Sequence, residues 1–402
     1  MLDLNRKLKK FGPKTSFFII SGVVIISLSV IAALFTNLQK NNFSLKNQIG
    51  QLTTKKSDLE KQLAATGEEL NALKNQDQVK INKSLKEEIA NIQKTYNQAV
   101  NAYEKLLDFK DLSKKTEIQD ALFASALKLL SERKYSSAAA VLASLDKKIE
   151  EEKQKIAVTF KIPESLPQSN SPPPTGGYQR QKVTVGDNSF MVDIISADLN
   201  STKVVVDTAS ESNCLDNCPV LALADYVGRN GAFAGVNGSY FCPATYPQCA
   251  NKKNSFDTLL MNKNKRYFNS DNNVYSTVPA VIFGGNWARF VTQSLEWGRD
   301  TGVDAVLANR PLLVFNNQIF YTGGGDVKEG KGSRSFIGVI DSTVYIGVVH
   351  NTTIIESAQV LHALGMNHAL NLDNGGSTAL WFGGYKAGPG RNLPNAILLV
   401  KK

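Results

Sequence analysis

Histidine and cysteine are scarce in this sequence, with three histidines and four cysteines in 402 residues. His350, His362 and His368 form no His-Glu-x-x-His pattern, so a structural role is expected for each. The chain also lacks a P-loop, a dinucleotide-binding glycine fingerprint and a Gly-x-Ser-x-Gly nucleophile elbow. These absences argue against nucleotide-dependent and ordinary serine-hydrolase chemistry, and neither a cofactor nor a metal is expected.

The basic excess of the chain lies in its N-terminal part. The net charge is +10, but residues 178–402 carry 19 basic and 17 acidic side chains, whereas the first 177 residues carry 27 and 19. A nearly balanced C-terminal part is not typical of a nucleic-acid-binding protein, so no nucleic-acid partner is expected. The N-terminal excess suits anionic lipid or an anionic wall polymer.

The N-terminus predicts a membrane anchor. Residues 1–16 are basic, and Phe17–Phe35 is a run of 19 residues without a charge. That length spans a bilayer core, and the basic flank is expected to stay cytoplasmic. We therefore predict a single-pass protein of the cell membrane with an extracytoplasmic C-terminal part. A cleavable signal ending near Val30-Ile31-Ala32 is the alternative.

Heptad spacing follows the anchor and predicts a helical stalk. Leucines recur on one heptad position at Leu38, Leu45, Leu52, Leu59 and Leu73. This pattern predicts a coiled coil over residues 36–110, through which chains could form a homo-oligomer. Residues 111–160 are predicted to form a helical hairpin, and the Pro- and Gly-rich residues 161–177 a linker. An alternative hypothesis makes the stalk a scaffold and the C-terminal part passive.

The remaining residues, 178–402, predict a mixed α/β (α+β) domain in which helices pack on a multi-stranded sheet. All four cysteines lie in this domain, and an even, clustered set in an exported protein suggests disulfides. Four cysteines allow three disulfide connectivities, and the pairing that we expect first is the local one, Cys214–Cys218 and Cys242–Cys249. A zinc site is the rival interpretation, although the C-x3-C and C-x6-C spacings suit one poorly.

One segment of this domain combines an acid, a glycine turn and two hydroxyls. The apolar lead Ala369-Leu370 predicts a strand that ends at Asp373, and Gly375, Gly376, Ser377 and Thr378 follow. The glycine N–H groups and the hydroxyls can hold phosphate or sugar oxygens. An ordinary strand and turn is the structural alternative. Candidate partners are Asn237, which ends a small-residue strand, Arg334, which enters an apolar strand and needs an anion, and Arg391.

These segments resemble the phosphodiester glycosidase family, which includes N-acetylglucosamine-1-phosphodiester alpha-N-acetylglucosaminidase and bacterial exopolysaccharide-associated proteins. The resemblance rests on three motifs in the family's order: Asn237-Gly-Ser-Tyr-Phe241, Arg334-Ser-Phe-Ile-Gly338 and Leu372-Asp-Asn-Gly-Gly-Ser-Thr378. Ser239 and Asn374 stand where the family has glycines.

The resemblance implies hydrolysis of a sugar 1-phosphodiester in a surface polysaccharide, glycolipid or other glycoconjugate. Asp373, Arg334 and Asn237 would be catalytic. Tyr240, Arg391 and residues 375–378 would bind substrate. A second carboxylate is expected, with Asp207, Glu211 and Glu356 as candidates. The alternative is a non-catalytic glycan-binding or envelope-assembly protein on the same fold.

Overall fold

The computed structural model describes residues 13–75, 77–113, 115–159, 162–166, 168–300, 302–324 and 330–402. Most of the predicted basic tail therefore lies outside the described residues. The chain divides into two units, Met1–Ala90 and Asn91–Lys402.

The first helix, α1, spans Pro13–Lys74 and contains the predicted anchor. Among the described residues it is the one helix long and apolar enough to cross a membrane, by length and composition. Its heptad leucines are exposed, as Leu38 (63%) and Leu52 (65%) illustrate. The coiled coil stays a prediction, because the structure contains a single chain.

Three helical segments form a small core at the start of the second unit. Helix α2 spans Asp77–Leu112, α3 spans Glu117–Ser131 and α4 spans Tyr135–Thr159. The C-terminal half of α2 contributes Leu106 and Phe109 to a core shared with both later helices. Helices α3 and α4 pack against each other, and α2 packs against both.

The rest of the chain forms antiparallel sheets, with two helices packed on their outer faces. The strands are β1 (Gly176–Val185), β2 (Asn188–Asp198), β3 (Thr202–Thr208), β4 (Ala234–Asn237), β5 (Leu260–Met261), β6 (Tyr267–Phe268), β7 (Ala280–Gly284), β8 (Trp287–Val291), β9 (Ala305–Ala308), β10 (Leu312–Phe315), β11 (Gln318–Ile319), β12 (Gly332–Ile340), β13 (Thr343–Thr352), β14 (His368–Asn374), β15 (Leu380–Phe382), β16 (Tyr385–Ala387) and β17 (Asn395–Lys401). The helices are α5 (Leu223–Asn230) and α6 (Ile354–Ala363).

Three sheets result from the strand pairing. The first has the order β1-β2-β13-β12-β14-β10-β11, the second β16-β15-β4-β17-β3 and the third β6-β5-β9-β7-β8. The main core lies between them, where β2, β12, β13 and β14 pack against β3, β4 and β17. Helix α6 covers the opposite face of the first sheet, and α5 that of the second. The predicted α+β class is confirmed.

Short apolar runs in the sequence coincide with most of the long strands, whereas β1 contains no such run. Gly176 and Gly177, the last residues of the predicted linker, lie at the start of β1. The preceding Pro-rich segment also runs along this strand, with the Ser169 N–H donating to the carbonyl of Lys182 at 3.0 Å. Such backbone bonds to an edge strand hold the segment in place.

Candidate active site

Asp373 lies near the end of β14, where the first and second sheets face each other. The residue is 7% exposed. Its backbone N–H donates to the Gly238 carbonyl at 2.9 Å, and its Oδ1 accepts the N–H of Asn374 at 2.8 Å. The chain then turns at Gly375, whose φ of +64° favours glycine. The strand and turn predicted around the acid are therefore present.

Asn237 holds this strand end against the second sheet. Its side chain is fully buried. Its Nδ2 donates to the Asp373 carbonyl at 2.7 Å, and its Oδ1 accepts the Ser335 hydroxyl at 2.7 Å and the Ala379 N–H at 3.1 Å. Both polar atoms of the amide are thus engaged by protein groups. The residue joins the three motifs that the sequence analysis placed together.

The turn after Asn237 accommodates Ser239, one of the two residues that stand where the family has glycine. A Cβ at Gly238 would lie 1.9 Å from Oδ1 of Asn395, so this position has room for glycine alone. Ser239 instead fits, since its N–H donates to that Oδ1 at 2.9 Å and its hydroxyl accepts from Nδ2 of Asn395 at 3.0 Å.

Asn374, the second replacement, has an extended backbone with φ −129°. A glycine is therefore not required there. Its Oδ1 accepts the Ser335 N–H at 3.1 Å, and its Nδ2 donates to the Tyr240 hydroxyl at 2.9 Å. The asparagine links β12, β14 and the turn after β4.

Tyr240 presents a phenol to this network. Its hydroxyl oxygen accepts from Nδ2 of Asn371 at 2.8 Å as well as from Asn374. Burial, followed by repulsion from the Asp373 carboxylate, raises the pKa of Tyr240 to about 12. The phenol therefore keeps its proton at neutral pH, and with its oxygen already accepting two bonds it can act as a donor.

Arg334 lies in β12 and is 6% exposed. Its Nε donates to the Thr352 carbonyl at 3.1 Å, and its Nη2 donates to the Gly330 carbonyl. Burial lowers the pKa of Arg334, and attraction from Tyr240, Tyr321, Asp108 and Glu356 opposes that effect. A buried guanidinium can bind an anion through its N–H donors.

The turn that follows Asp373 is tied to its neighbours on both sides. Ser377 and Thr378 are buried. The Thr378 hydroxyl donates to the Ser333 carbonyl at 3.3 Å, and the Gly376 carbonyl accepts the backbone N–H of Arg391 at 2.8 Å. These contacts place Arg391 beside the predicted phosphate-binding turn.

Helix α2 reaches the candidate site near Arg391. Its guanidinium lies 5.3 Å from the ring centroid of Tyr246. The Tyr246 hydroxyl donates to Asp108 of α2, and Nε2 of Gln248 donates to Oε2 of Glu104 at 2.8 Å. A disulfide between Cys242 and Cys249 closes the loop that carries both residues. The second predicted disulfide, Cys214–Cys218, is also present, so no cysteine remains for zinc.

Two candidates for the second carboxylate have structural partners. Asp207 accepts from Arg229 at 2.7 Å and from Lys263 at 3.1 Å. Glu356 forms a capping box with Thr353 at the start of α6.

Glu211, the third candidate, is exposed. Sequence reasoning missed Asp108, because no local pattern joins a helix residue to a loop 138 positions later.

Comparison with known proteins supports the resemblance over part of the chain. Residues 230–400 match the sequence pattern of the phosphodiester glycosidase family. The resemblance to phosphodiester glycosidases is confirmed for this segment. It covers β4 to β17 and therefore Asn237, Tyr240, Arg334, Asp373 and Arg391. The family is one of glycosidase-type hydrolases.

Two solved structures resemble this phosphodiester glycosidase-like chain at low identity. A hypothetical protein from Synechocystis is 12% identical, with a TM-score of 0.38, over 56% of this chain and 62% of that one. The zebrafish N-acetylglucosamine-1-phosphodiester alpha-N-acetylglucosaminidase catalytic domain, auto-inhibited by its pro-peptide, is 12% identical, with a TM-score of 0.45, over 59% and 87%. A comparison with curated proteins found no match.

Proposed function

We propose that this protein is a membrane-anchored, extracytoplasmic hydrolase that cleaves a sugar 1-phosphodiester in a surface polysaccharide or glycoconjugate. The observation that carries the proposal is the network joining Asn237, Tyr240, Asp373 and the strand of Arg334. An acid, a phenol donor and a guanidinium there suit a substrate with a sugar and a phosphate.

The phosphate would lie between Arg334 and the turn of residues 375–378. The guanidinium supplies positive charge in a buried setting, where its attraction for an anion is greater than in water. Tyr240 donates through its retained proton, and the Ser377 and Thr378 hydroxyls add donors. The backbone N–H of Arg391 donates to the Gly376 carbonyl of the same turn, and this residue is assigned to substrate binding.

The bond to the anomeric carbon would break without strong acid assistance. A phosphodiester leaves as a weakly basic anion, so holding it and stabilising an oxocarbenium-like centre are the main tasks. Asp373 is assigned to face that centre or to orient the attacking water. Asn237 is assigned a positioning role, since its amide already bonds three protein groups.

Release of free sugar from a synthetic sugar 1-phosphodiester by the full-length protein tests this function. Asp373→Asn and Arg334→Ala should each abolish release while the far-ultraviolet circular dichroism stays native. Sugar release at the wild-type rate by both variants contradicts the assigned roles. No turnover by the wild type, with retained glycan binding, supports instead a non-catalytic binding protein.

The anchor and stalk are proposed to hold this domain outside the membrane. Helix α1 is apolar over the predicted anchor and exposes leucines over the predicted stalk. The two disulfides suit an oxidising compartment. Protease added to intact cells should remove the C-terminal domain, and sedimentation of the detergent-solubilised protein should give a mass above that of one chain. Complete protection from protease contradicts the orientation, and a single-chain mass contradicts the oligomer.

A further inference from the structure

A row of polar side chains crosses four neighbouring strands of the first sheet, next to the candidate site. Arg180 of β1 donates from Nε and Nη2 to the two carboxylate oxygens of Asp193 in β2, at 2.6 and 2.8 Å. Nε2 of His350 in β13 lies 2.7 Å from Oδ2 of Asp193. Nδ1 of the same ring lies 3.4 Å from the Ser333 hydroxyl in β12. Serine, histidine and aspartate are therefore joined in order.

The charge state of Asp193 determines which ring nitrogen carries the proton. Burial favours the neutral acid, but hydrogen bonds from His350, Arg180 and Tyr178 lower the pKa of Asp193 to about 2. The ionised carboxylate can only accept, so Nε2 of His350 must donate. In the neutral ring Nδ1 is then the acceptor, and it faces the Ser333 hydroxyl.

Arg180 makes a neutral ring compatible with the buried carboxylate. The Asp193 side chain is 0% exposed, and Arg180 pairs with both of its oxygens, so its charge is balanced without a second cation. His350 therefore need not be protonated to stabilise the acid. A neutral, oriented imidazole beside a hydroxyl is the arrangement of a general base.

The serine end of the row is the accessible end. The His350 side chain is 13% exposed and Ser333 is partly exposed, whereas Asp193 is fully enclosed. The Ser333 carbonyl accepts the Thr378 hydroxyl, which places the row beside the phosphate-binding turn.

We propose that Ser333 is an activated nucleophile, with His350 as its base and Asp193 as the group that orients the base. The two ring nitrogens have exchanged roles relative to familiar serine hydrolases. The substrate class is a carboxylic ester, so this would be a second activity beside the phosphodiester site. The proposal does not rest on the function proposed above.

The reaction balances with water as the one co-reactant. The Ser333 Oγ forms a bond to the carbonyl carbon while its proton moves to Nδ1 of His350. The carbon–oxygen bond to the alcohol then breaks, and the alcohol leaves with that proton. Water hydrolyses the acyl-serine by the same proton path, releasing the carboxylic acid.

Labelling with phenylmethylsulfonyl fluoride tests the nucleophile in the full-length protein. Ser333 forms the oxygen–sulfur bond, fluoride leaves, and His350 takes the proton. Intact-mass spectrometry should show one sulfonyl adduct, which peptide mapping places on Ser333. Ser333→Ala should abolish the adduct, and His350→Gln should slow its formation by roughly 10²- to 10⁴-fold, the usual contribution of a general base.

A matched serine variant separates this proposal from unspecific labelling. Ser201 is exposed and bonds a backbone carbonyl, so Ser201→Ala should label at the wild-type rate.

The outcomes that overturn the proposal are equally defined. Hydrolysis of p-nitrophenyl acetate should follow the same variants. Absence of an adduct on Ser333, or an equal rate in a folded His350→Gln variant, overturns the proposal and leaves the row a structural hydrogen-bond chain.

Discussion

Replacing Asn237 by alanine distinguishes a residue that holds the site together from one that contacts substrate. The amide makes three bonds with buried partners, at 2.7, 2.7 and 3.1 Å. Alanine leaves the Asp373 carbonyl, the Ser335 hydroxyl and the Ala379 N–H without that partner. Because each of these three unmet buried groups costs about 1–3 kcal/mol, the free energy of unfolding should fall by about 3–9 kcal/mol.

Urea denaturation followed by tryptophan fluorescence measures this loss. A decrease of that size is a large part of the roughly 5–15 kcal/mol that stabilises a typical domain. The melting temperature should fall by about 2–4 °C per kcal/mol for a domain of this size. Sugar release should fall together with stability, since Asp373 loses a contact that positions its strand.

Asn188→Ala is the matched control, because Asn188 is exposed at the turn between β1 and β2. Its free energy of unfolding should change by no more than about 0.5 kcal/mol. An Asn237→Ala variant with wild-type stability but no sugar release refutes the reasoning. That outcome would assign the amide to the substrate.

Three further predictions concern the turn, the helical contact and acid stability. Gly238→Ala should lower the free energy of unfolding by about 2–5 kcal/mol, since its Cβ would displace Asn395 and break buried hydrogen bonds; urea denaturation measures it. Tyr246→Phe removes the hydroxyl that donates to Asp108, so amide hydrogen exchange should accelerate near Asp108. Asp193 has a pKa of about 2 in the folded protein, against an ordinary value of 3.8. Its carboxylate therefore contributes about 2 kcal/mol to the free energy of unfolding above about pH 4, and this contribution is lost as the pH falls through about 2.

Each of these three predictions is tested against a comparison variant. Gly228→Ala has open space for its Cβ and a helical position, so it should be neutral or slightly stabilising. Tyr275→Phe alters a residue that is 85% exposed and should leave hydrogen exchange unchanged. Asp193→Asn should remove part of the wild-type decline in stability with acid. Equal stability of the two glycine variants, equal exchange in the two tyrosine variants, or an unchanged acid decline contradicts the respective argument.

Local patterns in the sequence were sufficient to predict the long helices and strands and to identify the motifs. The uncharged run after the basic tail predicts a membrane-length helix, and α1 contains it. Short apolar runs predict the longer strands, because both faces of these strands are covered and most of their residues are buried. The local cysteine pairs and the glycine at position 375 also follow from short-range geometry, because each depends on a few neighbouring residues.

Contacts between distant segments were decided by the tertiary structure alone. Asp108 and Tyr246 are 138 positions apart, and the packing of α2 against a disulfide-closed loop brings them together. The order of strands β1-β2-β13-β12 aligns Asp193, His350 and Ser333, of which the sequence analysis considered His350 alone. The sequence by itself was enough to identify the candidate site residues and the local turns that carry them. The sheet order and the burial then decided which polar groups form hydrogen bonds with one another. They also decided that the Asn237 amide bonds to protein groups, because both outcomes depend on the packing of segments that are remote along the chain.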